Sequence, residues 1–507
     1  MRFPFVATAL LATALTAAAE SATNIKAPAA QGIEVYGDLF IKSFGRSTAM
    51  NEALDREFLG GNRSDSDTGG YLTARIGLRV LLEKRVSVVL EFENREMNRM
   101  GEGTQAVASL WGGEDNLDFD VRFGQAYVNI QDVFIEGLSF RAGIQDFKVD
   151  PAGTGNPFFM DLRRSESPFW TSVQEGQLVQ GNAAAGFNGL LSTDGLFKDR
   201  QYDAGGFKIG YALNENVEVS SFLFTTFEGG PAHDDQLLYG ARFDMNFLDK
   251  DKPSNLVLIA TMFTNGGNRH RVLTYGGGTG VRFKDFTFHL EGYGQFGEFG
   301  EFDSGADEDV ERQVGWAGIL GVYYRPEVSM EAKDAKPLTP FFSVSGRILS
   351  GDDGQNAIAD GTGTSPRSRK NRDFISMEGN NELMILEDDV LGLDVDSNYA
   401  SIRVGGGVRL SLLSPADFEV GATYAYNRCL KTVNFGIGGA DSWKTLGHEV
   451  DVKLRWHQSE LVTFATGFGL LWDADHFGTR KNSVDDLGFR TGNTRMWMWT
   501  FEVGVTF

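Results

Sequence analysis

MWMWTFEVGVTF (496–507) closes the chain. Taken two residues at a time, it has two sides. Phe507, Val505, Val503, Phe501, Trp499 and Trp497 are apolar throughout and rich in aromatics, whereas Thr506, Gly504, Glu502, Thr500, Met498 and Met496 turn small or polar toward the end. A period of two marks an extended strand, whose side chains alternate between faces. The pattern recurs upstream. In 445–457, Leu446, His448, Val450, Val452, Leu454 and Trp456 oppose Thr445, Gly447, Glu449, Asp451, Lys453, Arg455 and His457. In 72–82, Leu72, Ala74, Ile76, Leu78, Val80 and Leu82 oppose Thr73, Arg75, Gly77, Arg79 and Leu81. A side carrying Glu, Asp, Lys and Arg together is intolerable in a dry core and comfortable against water. These strands therefore separate an apolar surround from a wet one.

Eighteen segments read this way, near 33–43, 70–82, 85–97, 118–131, 137–147, 201–212, 216–228, 235–247, 254–265, 273–284, 286–299, 312–326, 337–350, 397–412, 416–427, 444–456, 459–472 and 494–507. The number is sixteen if one hairpin is wrongly split. In 119–130 the apolar phase switches near Gly124, which a β-bulge would repair. Almost without exception the connections alternate between short (83–84, 132–136, 213–215, 248–253, 285, 327–336, 413–415, 457–458) and long (44–69, 98–117, 148–200, 229–234, 266–272, 300–311, 351–396, 428–443, 473–493). A soluble sandwich has no reason to do this. A membrane barrel does, with short turns at the periplasmic rim and long loops outside. The expected fold is all-β: a transmembrane antiparallel β-barrel of about 18 strands, its last strand closing on its first because lipid offers an open edge no hydrogen bonds.

Composition agrees. Of 507 residues, 63 are Gly and only 12 Pro, and aromatics reach 12 %. The mean hydropathy of −0.22 reflects the absence of any later apolar run of helical membrane length. Such a run is not needed by a barrel, whose apolar residues average out in any hydropathy window. The opening MRFPFVATALLATALTAAAE reads as a signal peptide over 1–19, with Arg2, an apolar stretch and a small-residue site at Ala17–Ala19; the other reading is an anchor helix. The barrel would then span 20–507. One cysteine, Cys429, allows no intramolecular disulfide framework. A net charge of −22 excludes a basic footprint for nucleic acid, and the acid concentrates in 297–311 and 386–396. None of the six histidines sits in a setting such as G-x-S-x-G. No catalytic residue, cofactor or metal is expected, and SGDDGQN (350–356) is too short to argue for calcium.

With the apolar side outward, the inward side carries Arg75, Arg79, Arg95, Arg141, Arg242, Arg282, Arg347, Arg403, Arg409, Lys453 and Arg455 as pore-lining cations. With them come Glu34, Asp38, Glu91, Glu93, Asp244, Glu291, Glu449, Asp451 and Glu502. Two readings stand: the arginines pair with lumen acids and order water, or part of the set conducts an anionic solute. Eighteen strands enclose an aqueous channel unless something folds into it. The 148–200 loop would either bury Phe158, Phe159, Met160, Phe169 and Trp170 on the inner wall, carrying Asp161, Arg163, Arg164 and Glu166 toward the pore, or lie over the rim. Loop 351–396 would be a lid or a solvated excursion.

Several stretches resemble the alginate-export family of bacterial outer-membrane barrels. YLTARIGLRVLLEKRVSVVLEFEN, then GQAYVNI and LSFRAGIQDF, is similar to that family's first strands. LLYGARF, SGDDGQN and LGHEVDVKLRWHQSELVTFATGFGLL look like later family segments. The likeness is patchy but colinear over nearly all the mature chain. Ile144–Gln145 departs from a second arginine that the family often has there, and 148–200 is long. The resemblance implies a monomeric 18-strand channel for an anionic polysaccharide, gated by loops, with Arg75, Arg79, Arg141 and Arg242 as matching pore arginines. It also implies outer-membrane localisation, with the lipid bilayer and lipopolysaccharide as surroundings and Phe507 as the residue read by the barrel-assembly machinery. The competing functions are a structural or adhesive barrel with a plugged lumen, a non-selective porin, and a barrel enzyme.

Overall fold

A backbone that alternates lipid-facing and water-facing side chains has one stable arrangement in a membrane, a sheet with no free edge. The computed structural model describes residues 32–47, 67–94, 122–154, 157–162, 171–174, 177–180, 204–227, 236–247, 254–265, 270–300, 310–326, 338–351, 370–376, 382–388, 392–393, 395, 397–413, 416–434, 442–459, 461–474 and 495–507. The proposed signal peptide, Arg95, Arg163, Arg164 and Glu166 lie outside these residues. Eighteen strands make the wall: β1 (Gly32–Arg46), β2 (Asp67–Glu83), β3 (Val86–Asn94), β4 (Arg122–Ile130), β5 (Leu138–Gln145), β6 (Ala204–Asn214), β7 (Val217–Phe227), β8 (Gln236–Phe247) and β9 (Ser254–Asn265). They continue with β10 (His270–Phe283), β11 (Phe286–Gly300), β12 (Val310–Gln313 and, past a two-residue break, Trp316–Tyr324), β13 (Leu338–Leu349), β14 (Tyr399–Leu413), β15 (Ala416–Asn434), β16 (Ser442–His457), β17 (Val462–Trp472) and β18 (Met496–Thr506).

Each strand pairs antiparallel with its neighbours in sequence, and β18 pairs antiparallel with β1, from Asp38 opposite Thr506 to Arg46 opposite Met498. Gly37 and Phe507 complete the seam by exchanging backbone hydrogen bonds of 2.9 and 3.0 Å. The sheet is thus a closed 18-strand barrel, and β15 is its longest strand at 19 residues.

The two faces differ as alternation demands. On β18, Trp499 and Phe501 are 36 % and 46 % exposed, while Met496 and Met498 are fully buried inside. Ile76, Leu78, Val344, Ile402 and Val452 continue the exposed apolar belt around the outside. Lipid covers such a belt in a barrel.

Two irregularities shift the phase. Between β3 and β4 the register passes from Glu91–Gln125 to Phe92–Phe123, leaving Gly124 as the extra residue of a bulge. A side chain there would press on the Glu91 and Glu93 carboxylates, at 2.8 Å from each. The second irregularity corrects the sequence reading. Leu446 does not share the outward side of His448: it is fully buried inside. Gly447, at φ +111°, turns the chain over as the register jumps from Asn427–Gly447 to Arg428–Thr445. A β-carbon is strained at that φ, so glycine permits the flip.

Candidate channel constriction

Most of the buried apolar residues in this barrel lie on segments inserted inside it and on the wall beneath them. The first insert follows β5. Val149 and Met160 pair in a two-residue ladder beside Lys148 and Asp161, and Leu162 N–H donates to the Phe147 carbonyl (3.0 Å). Phe147 packs on Phe222 and Phe224 of β7, with ring centroids 4.4 and 5.2 Å away. Phe159 stacks on Tyr293 of β11 at 4.5 Å. Phe158, Met160 and Val149 are fully buried. Each such side chain contributes about 1.5–3 kcal/mol to docking. Glycine makes the fit possible: a side chain at Gly280 of β10 would overlap the backbone of Ala152. The described residues of 147–162 therefore pack on the inner wall.

The second insert belongs to loop 351–396. Ile375 N–H donates to Gln295 Oε1 (2.8 Å), and Gln295 Nε2 returns a bond to the Ile375 carbonyl (2.7 Å). Phe374 is fully buried, 6.2 Å from the Phe159 ring, so the two inserts meet. Farther along, the Glu382–Asp388 turn is held by wall carboxylates. Met384 N–H donates to Asp451 (3.0 Å), and Ile385 and Leu386 N–H donate to the two oxygens of Glu449 (2.7 and 3.2 Å). The turn's own carboxylates reach back. Glu382 and Glu387 both ion-pair with Arg403, and Glu387 lies 3.2 Å from Arg347. Burial pushes the Glu382 carboxyl up, but the Arg403 and Arg347 guanidinium groups outweigh that and hold it below the ordinary carboxylate range. Asp388 sits 3.7 Å from Lys42, which also pairs with Glu502 at 3.1 Å.

The predicted inward cations separate into groups. Arg347 and Arg403 are buried by the second insert. Arg242 forks onto Asp244 (2.6–2.9 Å), donates to the Lys148 carbonyl (2.6 Å) and so ties the first insert to β8. Lys453 donates to the Glu382 carbonyl (3.3 Å). Arg75 pairs with Asp38 and stands 3.9 Å from Glu91; Arg79 pairs with Glu34 at 2.8 Å and Arg409 with Asp417 at 2.9 Å. Arg141, Arg282 and Arg455 form no ion pair with any described residue. Arg141 lies over the Tyr127 ring at 4.6 Å, and Arg282 and Arg455 are exposed. Of the predicted loop residues, Asp161 is buried in the first insert's ladder.

Sequence reasoning missed Glu382, Glu387, Asp388 and Lys42. The signal was ELMIL (382–386), an apolar run inside a long acidic loop. It also missed a buried wall triplet, in which Tyr293 O–H donates to Glu291 (2.6 Å) and His289 Nε2 contacts the other Glu291 oxygen (2.5 Å).

A closed sheet with an apolar belt outside, charged side chains inside and short turns at one end fits one membrane. The chain is an outer-membrane β-barrel of porin-like build. No protein-family model matches it, and no curated protein sequence does. Solved structures similar to it include OccAB1 of Acinetobacter baumannii, with a TM-score of 0.46, 11 % identity, and coverage of 95 % of this chain and 99 % of that one. OccK2 of Pseudomonas aeruginosa gives a TM-score of 0.41 at 9 % identity, covering 93 % and 98 %. The outer membrane channel DcaP of A. baumannii gives 0.36 at 11 % identity, covering 95 % and 99 %.

Proposed function

We propose that this barrel is a passive channel for an anionic solute, of the uronate-bearing oligo- or polysaccharide class that the alginate-export resemblance implies. The supporting observation is a set of inner-wall arginines that no described acid pairs with. The acids Glu34, Asp38, Asp244, Glu419 and Glu502 each hold a cation. Arg141, Arg282 and Arg455 have no carboxylate within ion-pair distance among the described residues, which leaves guanidinium groups free for carboxylates passing through. The planar fork of arginine suits a carboxylate in two parallel hydrogen bonds. Passage of this kind needs a field and a width, not a nucleophile or a cofactor.

Planar-bilayer recording tests the reading. The purified protein should conduct with anion preference, and polyuronate oligomers added to one side should block the current. Replacing Arg141, Arg282 and Arg455 together by Glu should abolish or reverse the preference. An unchanged reversal potential would remove the arginine path from the argument. The filled-lumen alternative has one observation in its favour, the two inserts packed on the inner wall. It predicts no unitary conductance.

A further inference from the structure

The outward side of the wall ends differently at its two rims. Where strands enter the short turns it ends on apolar residues: Leu213, Phe283 and Leu338 are 57 %, 63 % and 51 % exposed. At the long-loop end of β10, β11 and β12 it ends on charge. Arg271 stands opposite Glu298, and Glu298 opposite Arg312, in one row across three adjacent strands. All three are exposed. Alternation fixes their side. Val272, Gln295 and Gln313 are buried within the barrel. The row therefore shares the outer face with Tyr275, Phe296 and Trp316, which are 52 %, 45 % and 48 % exposed. Neither arginine forms an ion pair with Glu298 or with any other described carboxylate.

An outward arginine costs about 2–4 kcal/mol at the bilayer midplane and about 0–1 kcal/mol near the interface. The row therefore marks the outer end of the hydrocarbon. Phe296, two residues below Glu298 on the same side, lies about 5 Å nearer the midplane on a strand tilted by about 40°, where an aromatic girdle belongs. Two guanidinium groups at headgroup depth, without an ion-pair partner among the described residues, present forked donors that match phosphate oxygens. A lone phosphate would be repelled by Glu298 between them. A phosphate carried on a sugar would not, because the neighbouring hydroxyls donate to that carboxylate.

We propose that Arg271, Glu298 and Arg312 form a binding site for a phosphorylated glycolipid headgroup of the outer leaflet, with the arginines on phosphate and Glu298 on sugar hydroxyl groups. The site depends on the outer-membrane placement and not on the solute, so loss of anion preference in the channel leaves it standing.

Native mass spectrometry of the full barrel in detergent tests it, with three added lipids: bisphosphorylated lipid A, the same lipid A stripped of phosphate, and phosphatidylglycerol. The barrel should retain bisphosphorylated lipid A at least about tenfold better than either of the others, a difference of about 1.4 kcal/mol. Arg271→Gln with Arg312→Gln should erase the preference for phosphate. Glu298→Gln should narrow the gap to phosphatidylglycerol. An unchanged β-sheet circular-dichroism spectrum and thermal transition of each variant shows that it is folded. Equal retention of the phosphorylated and stripped lipids, or a double variant that keeps the preference, overturns the proposal. Phosphatidylglycerol held as tightly as lipid A overturns the glycolipid assignment.

Discussion

Arg79 on β2 and Arg403 on β14 arise from the same sequence pattern, an arginine on the polar side of an amphipathic strand, and both meet carboxylates. Arg79 and Glu34 stay in water, with side chains 52 % and 58 % exposed. Arg403 and Glu387 are nearly sealed, with side chains 3 % and 2 % exposed. Residue type is the same; burial sets the role. An exposed pair contributes about 0–1 kcal/mol. A buried pair need not add net stability, but removing one partner strands the other's charge and costs about 3–5 kcal/mol. One part of the inner wall is thus built to meet solvent and solute, and another to hold its own loops.

Four measurements bear on that contrast. Arg403→Ala should have the largest effect. It leaves the buried Glu387 and the half-buried Glu382 without their main partner, costs about 3–5 kcal/mol and undocks the second insert. Limited proteolysis of the reconstituted barrel within 370–398 should accelerate by an order of magnitude or more, and unitary conductance should rise. If both stay the same, the buried pairs are not what holds the insert. Gly280→Val comes next. The added side chain overlaps Ala152 and should loosen the first insert by about 1–3 kcal/mol, read as faster cleavage within 146–162.

The third is a pH effect. Glu382 has its carboxyl lowered on docking, so its contribution is fully present above the ordinary carboxylate pKa of about 4.3 and is lost as pH falls through the depressed docked value. The part of the docking that Glu382 supplies, read as the difference in cleavage between the wild type and Glu382→Gln, should therefore be flat from neutral pH to about 4.5 and shrink only in stronger acid. A difference that already shrinks between pH 7 and 5 would contradict this assignment. The smallest effect belongs to Arg79→Gln. It should cost less than about 1 kcal/mol and leave both inserts protected, and a large shift in thermal unfolding would break the contrast between the two pairs.

The wall was legible in the sequence because alternation across a lipid–water boundary is a strict, local pattern. All eighteen predicted segments are strands, and the phase break at Gly124 is a bulge. Leu446 defied the pattern because one glycine at positive φ reverses a strand's sides, and a two-letter alternation is blind to backbone handedness. The inserts were only half legible. The density of Phe158, Phe159 and Met160 in a loop signals burial somewhere, yet the partners Tyr293 and Phe374 lie far along the chain. Arg347 and Arg403 looked no different from Arg79, since nothing in their own strands encodes a loop folded over them.

The length of β15 has its own consequence. With the register shifts between Asn427 and Val433 allowed for, β15 climbs about as far as the 16 residues of β16, roughly 40 Å at about 3.4 Å per residue and a tilt of about 40°, well beyond the apolar band of about 25 Å. Its far end, paired with β16 up to Asn434 and Ser442, stands well above the cell surface like a mast. A phage tail fibre or an antibody approaching from outside can grip that mast, and escape mutants against such agents should gather there rather than in the lumen.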